Sequence, residues 1–279
     1  MSTIQIDCTL DYEVLSPTLF MFNIAATMNE YQLVQNEQLT LTPYYPYEAY
    51  SLGSPANRSI RFAAPEGALQ IHYQASVQLS HTLDHPNEVG EIPYLSLPPN
   101  VLPYLNPSRY CESDRLGRLA TKLFADAPSG YYKVKAVLDW VYENIDYIPG
   151  STDSSSSISE VLLQRAGVCR DFAHLSIALC RALGIPARYV AAYAPGLEPD
   201  QDFHGVFEAF LNGRWYLFDS TRLAPVGSFV RISTGRDASD APFATLLGAA
   251  ELVNMAINPI DTAVNNTPTM DWAISTSVL

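Results

Sequence analysis

Residues 4 to 12 alternate strictly, with Ile4, Ile6, Cys8, Leu10 and Tyr12 on one face and Gln5, Asp7, Thr9 and Asp11 on the other. That period of two predicts a half-buried strand. Leu19 to Ile24 is a short apolar run, and Gln38 to Thr42 alternates again. Ile60 to Ala63 and Leu69 to Leu79 flank Pro65-Glu66-Gly67, which reads as a hairpin. No helical period occurs before about residue 110. The first third of the chain is therefore expected to be an antiparallel β domain, sandwich-like, over residues 1–105. Pro93, Pro98, Pro99, Pro103 and Pro107 mark a stiff boundary after it.

The period then changes. Ser113 reads as a helix N-cap, followed by a stripe of Leu116, Leu119, Ala120, Leu123 and Phe124. Val134, Val137, Leu138, Val141 and Ile145 form a second stripe, and Ile158 to Arg165 a short helix. Between them, Tyr147 to Ser157 is a loop with a serine run, either a lid or a passive linker. From Phe172 a third helix runs through Leu175, Leu179 and Leu183 and stops at Gly184-Ile185-Pro186. Arg188 to Ala194 is a strand, followed by a loop carrying Glu198, Asp200 and Asp202. Ala244 to Val253 reads as helical, and the tail from Asn265 is indistinct. The expected class is α+β, with a catalytic domain over residues 106–279.

Chemistry enters at the start of the third helix. Cys169 stands at its first turn with Asp171 close behind, where a thiol feels the positive end of the helix dipole. Such placement lowers a cysteine pKa from about 8.5 into the ~3.5–7.5 range. On this stretch alone, a buried small thiol is an equal reading. His204 to Leu211 and Arg214 to Asp219 form two strands around Asn212-Gly213, a strong two-residue turn signal. With Leu211 opposite Arg214, His204 and Asp219 become diagonal neighbours on one face, roughly 7–8 Å apart at the backbone. Cys169, His204 and Asp219 then have the logic of a nucleophile, a base and an orienting carboxylate.

Several pieces resemble the transglutaminase-like superfamily, in its bacterial branch of candidate cysteine proteases. They are Gly167-Val-Cys169-Arg-Asp-Phe-Ala-His174, Leu183-Gly-Ile-Pro-Ala-Arg-Tyr189, His204-x-x-x-Glu208, Trp215-Tyr-Leu-Phe-Asp219-Ser-Thr221 and Gly235-Arg-Asp237. They occur in the family's order across about residues 110 to 250. The resemblance implies a transglutaminase-like, papain-like cysteine domain with a Cys169-His204-Asp219 triad. It implies acyl transfer on an amide, peptide or protein substrate through a thioacyl intermediate. Protease, amidase and transglutaminase stay open, as does an idle fold serving as a protein-binding module. Two departures are Val206 where the family has Trp and Ser220 where it has Pro. The Cys169 N–H is an expected oxyanion donor, and Gln164 is a candidate for a second.

Other residues read as structural. His174 is expected as a hydrogen-bonded core histidine, and Cys180 as a core thiol. Glu208 either shapes the cleft or forms a buried ion pair.

Composition narrows the partners. The 279 residues carry a net charge of −13, which argues against nucleic acid and anionic membranes. The four cysteines have no framework spacing, and no Lys or Arg precedes Arg58. There is no C-x-x-C, no H-E-x-x-H and no Gly-rich phosphate loop, so neither a metal nor a cofactor is expected. His81 and His85 read as solvated loop histidines. A cytoplasmic setting is the expectation.

Overall fold

A computed structural model describes residues 2–51, 53, 57–198, 202–262 and 271–277. The architecture is α+β, with a β unit joined to a helix-and-sheet unit. The chain begins with β1 (Ser2–Val14), β2 (Thr18–Phe22), β3 (Gln32–Thr42), β4 (Glu48–Tyr50), β5 (Ser59–Ala64) and β6 (Gly67–Leu79), the strands that open the first unit, and then β7 (Thr82–Asp84), which joins the second. Helices α1 (Gly117–Phe124) and α2 (Tyr131–Asn144) follow, then β8 (Asp146–Tyr147), α3 (Ile158–Gln164), β9 (Ala166–Gly167) and α4 (Cys169–Ala182). The rest is β10 (Ala187–Tyr193), β11 (Phe203–Leu211), β12 (Arg214–Phe218), β13 (Val230–Gly235), β14 (Ala244–Leu247), β15 (Ala250–Asp261) and β16 (Ala273–Ser277).

The alternation read in β1 is realised: Ile4, Ile6, Cys8, Leu10, Tyr12 and Val14 are all buried. They face Phe20, Phe22 and Phe62 on the opposing sheet, where Tyr12 meets Phe20 edge-on at 5.4 Å between ring centroids. The two sheets run β15-β1-β6-β3 and β14-β2-β5-β4. Three expectations change here. β5 and β6 lie in different sheets, so Pro65-Glu66-Gly67 carries the chain across the sandwich rather than closing a hairpin. Ala244 to Val253 is extended, not helical. β14 pairs with β2 and β15 pairs with β1 along its whole length, and that pairing outweighs local propensity. The expected division at residue 105 is consequently crossed, because the C-terminal third supplies one strand to each sheet. Of the tail, residues 263–270, 278 and 279 lie outside the described residues, and β16 pairs with β12 and β7.

The second unit is a six-stranded sheet, β13-β10-β11-β12-β16-β7. α4 lies on it, covered by α1, α2 and α3, and is buried from Asp171 to Arg181. Ser113 does not cap α1. It opens a short 3-10 turn, and α1 starts at Gly117. The edge strand β13 is covered by side chains of the sandwich. Gln32 accepts from the Arg231 N–H at 2.9 Å and donates to the Arg231 carbonyl at 2.8 Å. Asn57 makes the same pair of bonds with Thr234, at 2.8 and 2.9 Å. Buried primary amides thus pair backbone groups that an edge would leave open.

The strand exchange generates a prediction. A chain ending at residue 243 lacks β14 and β15 and leaves the buried β1 and β2 with an open edge. It should aggregate or unfold at clearly lower urea concentration than the full chain. A fragment of residues 1–105 should show no cooperative urea transition by circular dichroism. A cooperative transition in that fragment would show that the sandwich does not need its C-terminal strands.

Candidate functional site

The site forms where the first turn of α4 meets β11. Cys169 is the first residue of α4 and is half-buried. The turn is fixed by Asp171, almost wholly buried, whose Oδ2 accepts from the Val168 N–H at 2.9 Å and from Thr152 Oγ1 at 2.5 Å. Its Oδ1 pairs with Arg170 at 3.1 Å. A carboxylate at this place caps orphan N–H groups and favours the positive helix end. Gly205 permits the close approach of α4 to the sheet. A Cβ at that position would lie 2.6 Å from the Tyr189 hydroxyl and 3.1 Å from the Arg170 Cα.

The hairpin has the expected register. Leu211 lies opposite Arg214, and pairing continues to Phe207 opposite Phe218. Asn212 and Gly213 both adopt positive φ, 46° and 81°, as the two-residue turn requires. Asp219 follows directly after β12 and is brought to His204, with 2.9 Å between Asp219 Oδ2 and His204 Nε2. Both side chains are buried. The other carboxylate oxygen, Oδ1, accepts from the Thr221 N–H at 2.8 Å and from its hydroxyl at 2.7 Å. Asp219 is thereby held from both sides. Thr221 was quoted in the motif but given no role by sequence reasoning; its signal is the Asp-x-Thr spacing of a side-chain-stabilised turn.

His204 Nδ1 is buried and makes no hydrogen bond among the described residues. Cys169 is near enough to act on the charge of this ring. Burial alone would depress the imidazole pKa. The Asp219 charge and hydrogen bond, reinforced by Cys169, outweigh it and raise the pKa to about 10. The ring therefore holds its proton through the neutral range. The other cysteines differ. Cys8, Cys111 and Cys180 are buried, and burial pushes the first two thiols up to about 12 and Cys180 higher.

The remaining expected residues fall outside this cluster. His174 is buried, stacked between Tyr110 at 5.1 Å and Tyr189 at 5.3 Å, and its Nε2 accepts from the Ala238 N–H. Glu208 is wholly buried between Arg188 and Arg231, an ion cluster in the sheet rather than a cleft wall. Val206 packs with Val190, Ala192, Leu217 and Phe229 behind His204. Ser220 bonds Ser176 of α4 at 2.6 Å, tying the end of the hairpin to the helix. Gln164 is exposed at the end of α3 and makes no hydrogen bond with Cys169. Tyr147 stands beside Cys169 instead, on the two-residue strand β8. The serine loop is tethered: Arg170 donates to the Asp153 carbonyl, Tyr110 to the Ser154 carbonyl and Ser157 to Glu112. Of the acidic loop, Asp200 lies outside the described residues, and Asp202 is exposed two residues before His204.

Among the described residues, no group of three or more His, Cys, Asp or Glu is arranged to hold a metal ion, and no helix is long and apolar enough to cross a membrane. A cavity of about 1040 Å³ opens at the seam between the sandwich and the six-stranded sheet, lined by Tyr31, Tyr104, Arg188, Trp215 and Arg231 among others. Neither Cys169 nor His204 lines it.

Comparison with known proteins places this geometry in context. Residues 117–220 match the family model of the transglutaminase-like superfamily, and residues 3–100 match that of the bacterial transglutaminase N-terminal domain. A crystal structure from Cytophaga hutchinsonii, described as a "putative cysteine protease", is 41% identical, with a TM-score of 0.93 over 98% of this chain and 96% of that one. An uncharacterised protein of Mycobacterium leprae is 36% identical over 118 residues, 38% of this chain. The chain spans 41% of that relative's length. The kyphoscoliosis peptidase of Mus musculus is 27% identical over 117 residues, 38% of this chain and 18% of that protein.

His174 generates a prediction about acid stability. Burial, opposed by Asp237 and Asp171, lowers its pKa from 6.5 to about 4. The unfolded chain therefore binds a proton between these values that the folded chain does not. The stability from neutral His174 is complete above about pH 6.5 and is lost as pH falls toward 4, a change of about 3 kcal/mol. Urea titrations at pH 7 and pH 4.5 should show a smaller pH-dependent loss in His174→Phe than in wild type. Equal losses would place the titrating group elsewhere.

Proposed function

The chain belongs to the transglutaminase-like superfamily, and on that premise we propose that it is a cysteine-dependent acyl-transfer enzyme acting on an amide or peptide bond. The observation that carries this reading is the half-buried Cys169 against a buried His204 whose Nε2 bonds Asp219 and whose Nδ1 has no other hydrogen bond. Cysteine, histidine and aspartate then act as nucleophile, proton carrier and orienting group.

The steps follow from the geometry. The Cys169 thiolate, paired with protonated His204, attacks the carbonyl carbon; the S–C bond forms as the π pair moves to oxygen. The tetrahedral oxyanion is met by the Cys169 N–H at the helix start. Collapse breaks the C–N bond, and the departing amine takes the proton from His204 Nδ1. The neutral imidazole then draws a proton from the incoming acceptor, water or an amine, which attacks the thioester. Breakdown of that second tetrahedral centre returns the thiolate, with the proton retained on His204. Asp219, fixed by Thr221, keeps Nε2 protonated and Nδ1 turned to the sulfur throughout. Relatives described as a "putative cysteine protease" and a peptidase favour water as the acceptor. The idle binding-module reading drew its weight from Val206; with Val206 packed behind the histidine, no specific observation favours it.

Three variants test the reading. Cys169→Ala should abolish rapid labelling by iodoacetamide, since the other thiols are buried and protonated. Persistent labelling would place the reactive thiol elsewhere. In a fluorogenic peptide-amide screen, Asp219→Asn should keep the fold but lower turnover on the order of 10³–10⁴-fold, because the amide allows the wrong tautomer. Full activity in that variant would reduce Asp219 to a structural role. Gly205→Ala should separate α4 from β11 and lower turnover by about 10²-fold with little loss of circular dichroism signal. Unchanged turnover would mean that the close approach at Gly205 does not set the Cys169–His204 distance.

A further inference from the structure

The sheet face under α4 is covered by two bodies, and Cys169 stands at the end of one of them. α4 runs beside β11 over most of that strand. At one end, a Cβ on Gly205 would lie 3.1 Å from the Arg170 Cα. At the other, the Phe210 N–H donates to the Pro186 carbonyl at 2.8 Å, where the chain has just left the helix. The helix therefore begins over Gly205 and turns its first residue, Cys169, towards the start of β11. Side chains alternate along a strand, so Phe203 shares the face of Gly205 and stands roughly 7 Å further along, beyond the helix end. Tyr193 lies opposite Phe203 on β10 and belongs to the other cover, the sandwich. Its hydroxyl donates to the Ile24 carbonyl at 2.6 Å, and its ring stacks on Tyr73. Phe203 thus sits in the gap between α4 and the sandwich, one residue from His204.

Phe243 lies over that gap. Its ring stacks on Phe203, with 5.2 Å between centroids and 24° between planes. The sandwich fixes its place. The Asn23 N–H donates to the Phe243 carbonyl at 2.9 Å, and the Asn23 side-chain amide donates to the Pro242 carbonyl at 2.6 Å. The next residue, Ala244, opens β14 opposite Phe22. The return of the chain to the sandwich therefore lays a phenyl ring on the one beside His204. Phe243 is still 36% exposed, so the stack uses only part of its surface. An aromatic ring held by backbone bonds and left open to solvent offers apolar surface at little cost in ordering.

We propose that the Phe203–Phe243 stack is a specificity subsite, which seats a large apolar or aromatic side chain of the amide substrate beside Cys169. This rests on the acyl-transfer reading above and adds a substrate class to it. A peptide whose carbonyl carbon meets the sulfur carries its neighbouring side chains within one or two residues of that point, the same span that separates Phe203 from Gly205 along β11. A phenyl or branched aliphatic group laid on the open surface of Phe243 leaves water together with that surface. A small or charged group gains nothing there. The contact is the same before and during acyl transfer, so it acts on kcat/KM through KM rather than on kcat.

Two thiol-directed probes test the subsite without a known substrate: iodoacetamide, and N-phenethyl iodoacetamide, which adds a phenyl ring on a two-carbon arm. Each forms an S–C bond to Cys169 as iodide leaves. The ratio of their second-order rate constants, measured on the same full-length protein, therefore reports the seat of the ring and cancels any change in the thiol. In wild type the phenethyl probe should react on the order of 10-fold faster. Phe243→Ala should bring the ratio down towards unity, and Phe243→Tyr, which keeps the ring, should retain it. A ratio near unity in wild type would overturn the proposal. So would an unchanged ratio in Phe243→Ala, or its loss in Phe243→Tyr. Labelling that is lost in Cys169→Ala while the wild-type ratio stays flat overturns this proposal alone. Labelling by both probes that survives Cys169→Ala overturns the underlying acyl-transfer reading and this proposal with it.

Discussion

The whole arrangement depends on how closely the first turn of α4 can approach β11. At Gly205 an added methyl group would meet the Tyr189 hydroxyl at 2.6 Å and crowd the Arg170 backbone of the helix at 3.1 Å, and this contact lies one residue from His204 and one from Cys169. The helix is held there from behind by α1, α2 and α3, and in front by the sheet. Asp171 closes its first turn by capping Val168 and binding Thr152. Interiors packed at this density do not deform gradually. The sulfur and the imidazole are therefore set relative to each other by the backbone rather than by flexible side chains.

Electrostatics then separate the groups that titrate from those that only pack. His204 and His174 are both buried in the same unit, yet their pKa values move in opposite directions, to about 10 and about 4. The difference lies in their partners. His204 has a carboxylate in direct hydrogen bond, whereas His174 accepts an N–H and is enclosed by two tyrosine rings. The cysteines divide on exposure in the same way, with Cys169 half-buried and the other three enclosed. One histidine and one cysteine are thus left suited to chemistry, and they are the pair that the close approach brings together.

Much of this was legible in the sequence because it is local. Asn212-Gly213 sets a hairpin register over short range, and register decides that His204 and Asp219 meet. The α4 period, its Gly184-Ile185-Pro186 stop and the acidic first turn are likewise local signals. What was missed depends on distant partners. Ala244 to Val253 is rich in alanine and leucine, good helix formers, but it completes the edges of β1 and β2 far away in the chain. Pro65-Glu66-Gly67 turns the chain correctly, but no local signal says whether the next strand stays in the same sheet. Tyr147 had no signal, because its place beside Cys169 follows from a two-residue parallel pairing between segments 20 residues apart in register. Val206 and Ser220 marked real departures, yet they fall behind the histidine and against α4 rather than in the cleft.

The central claim is that Cys169 carries the acyl group during turnover. It is tested most directly by acid-quenching the full chain during p-nitrophenyl acetate hydrolysis and locating the acyl group by peptide mass spectrometry. The account predicts one acetyl group, on Cys169, that is hydroxylamine-labile and disappears when the ester is exhausted. Turnover with no adduct on Cys169, or with the acetyl group accumulating on another residue, would contradict it.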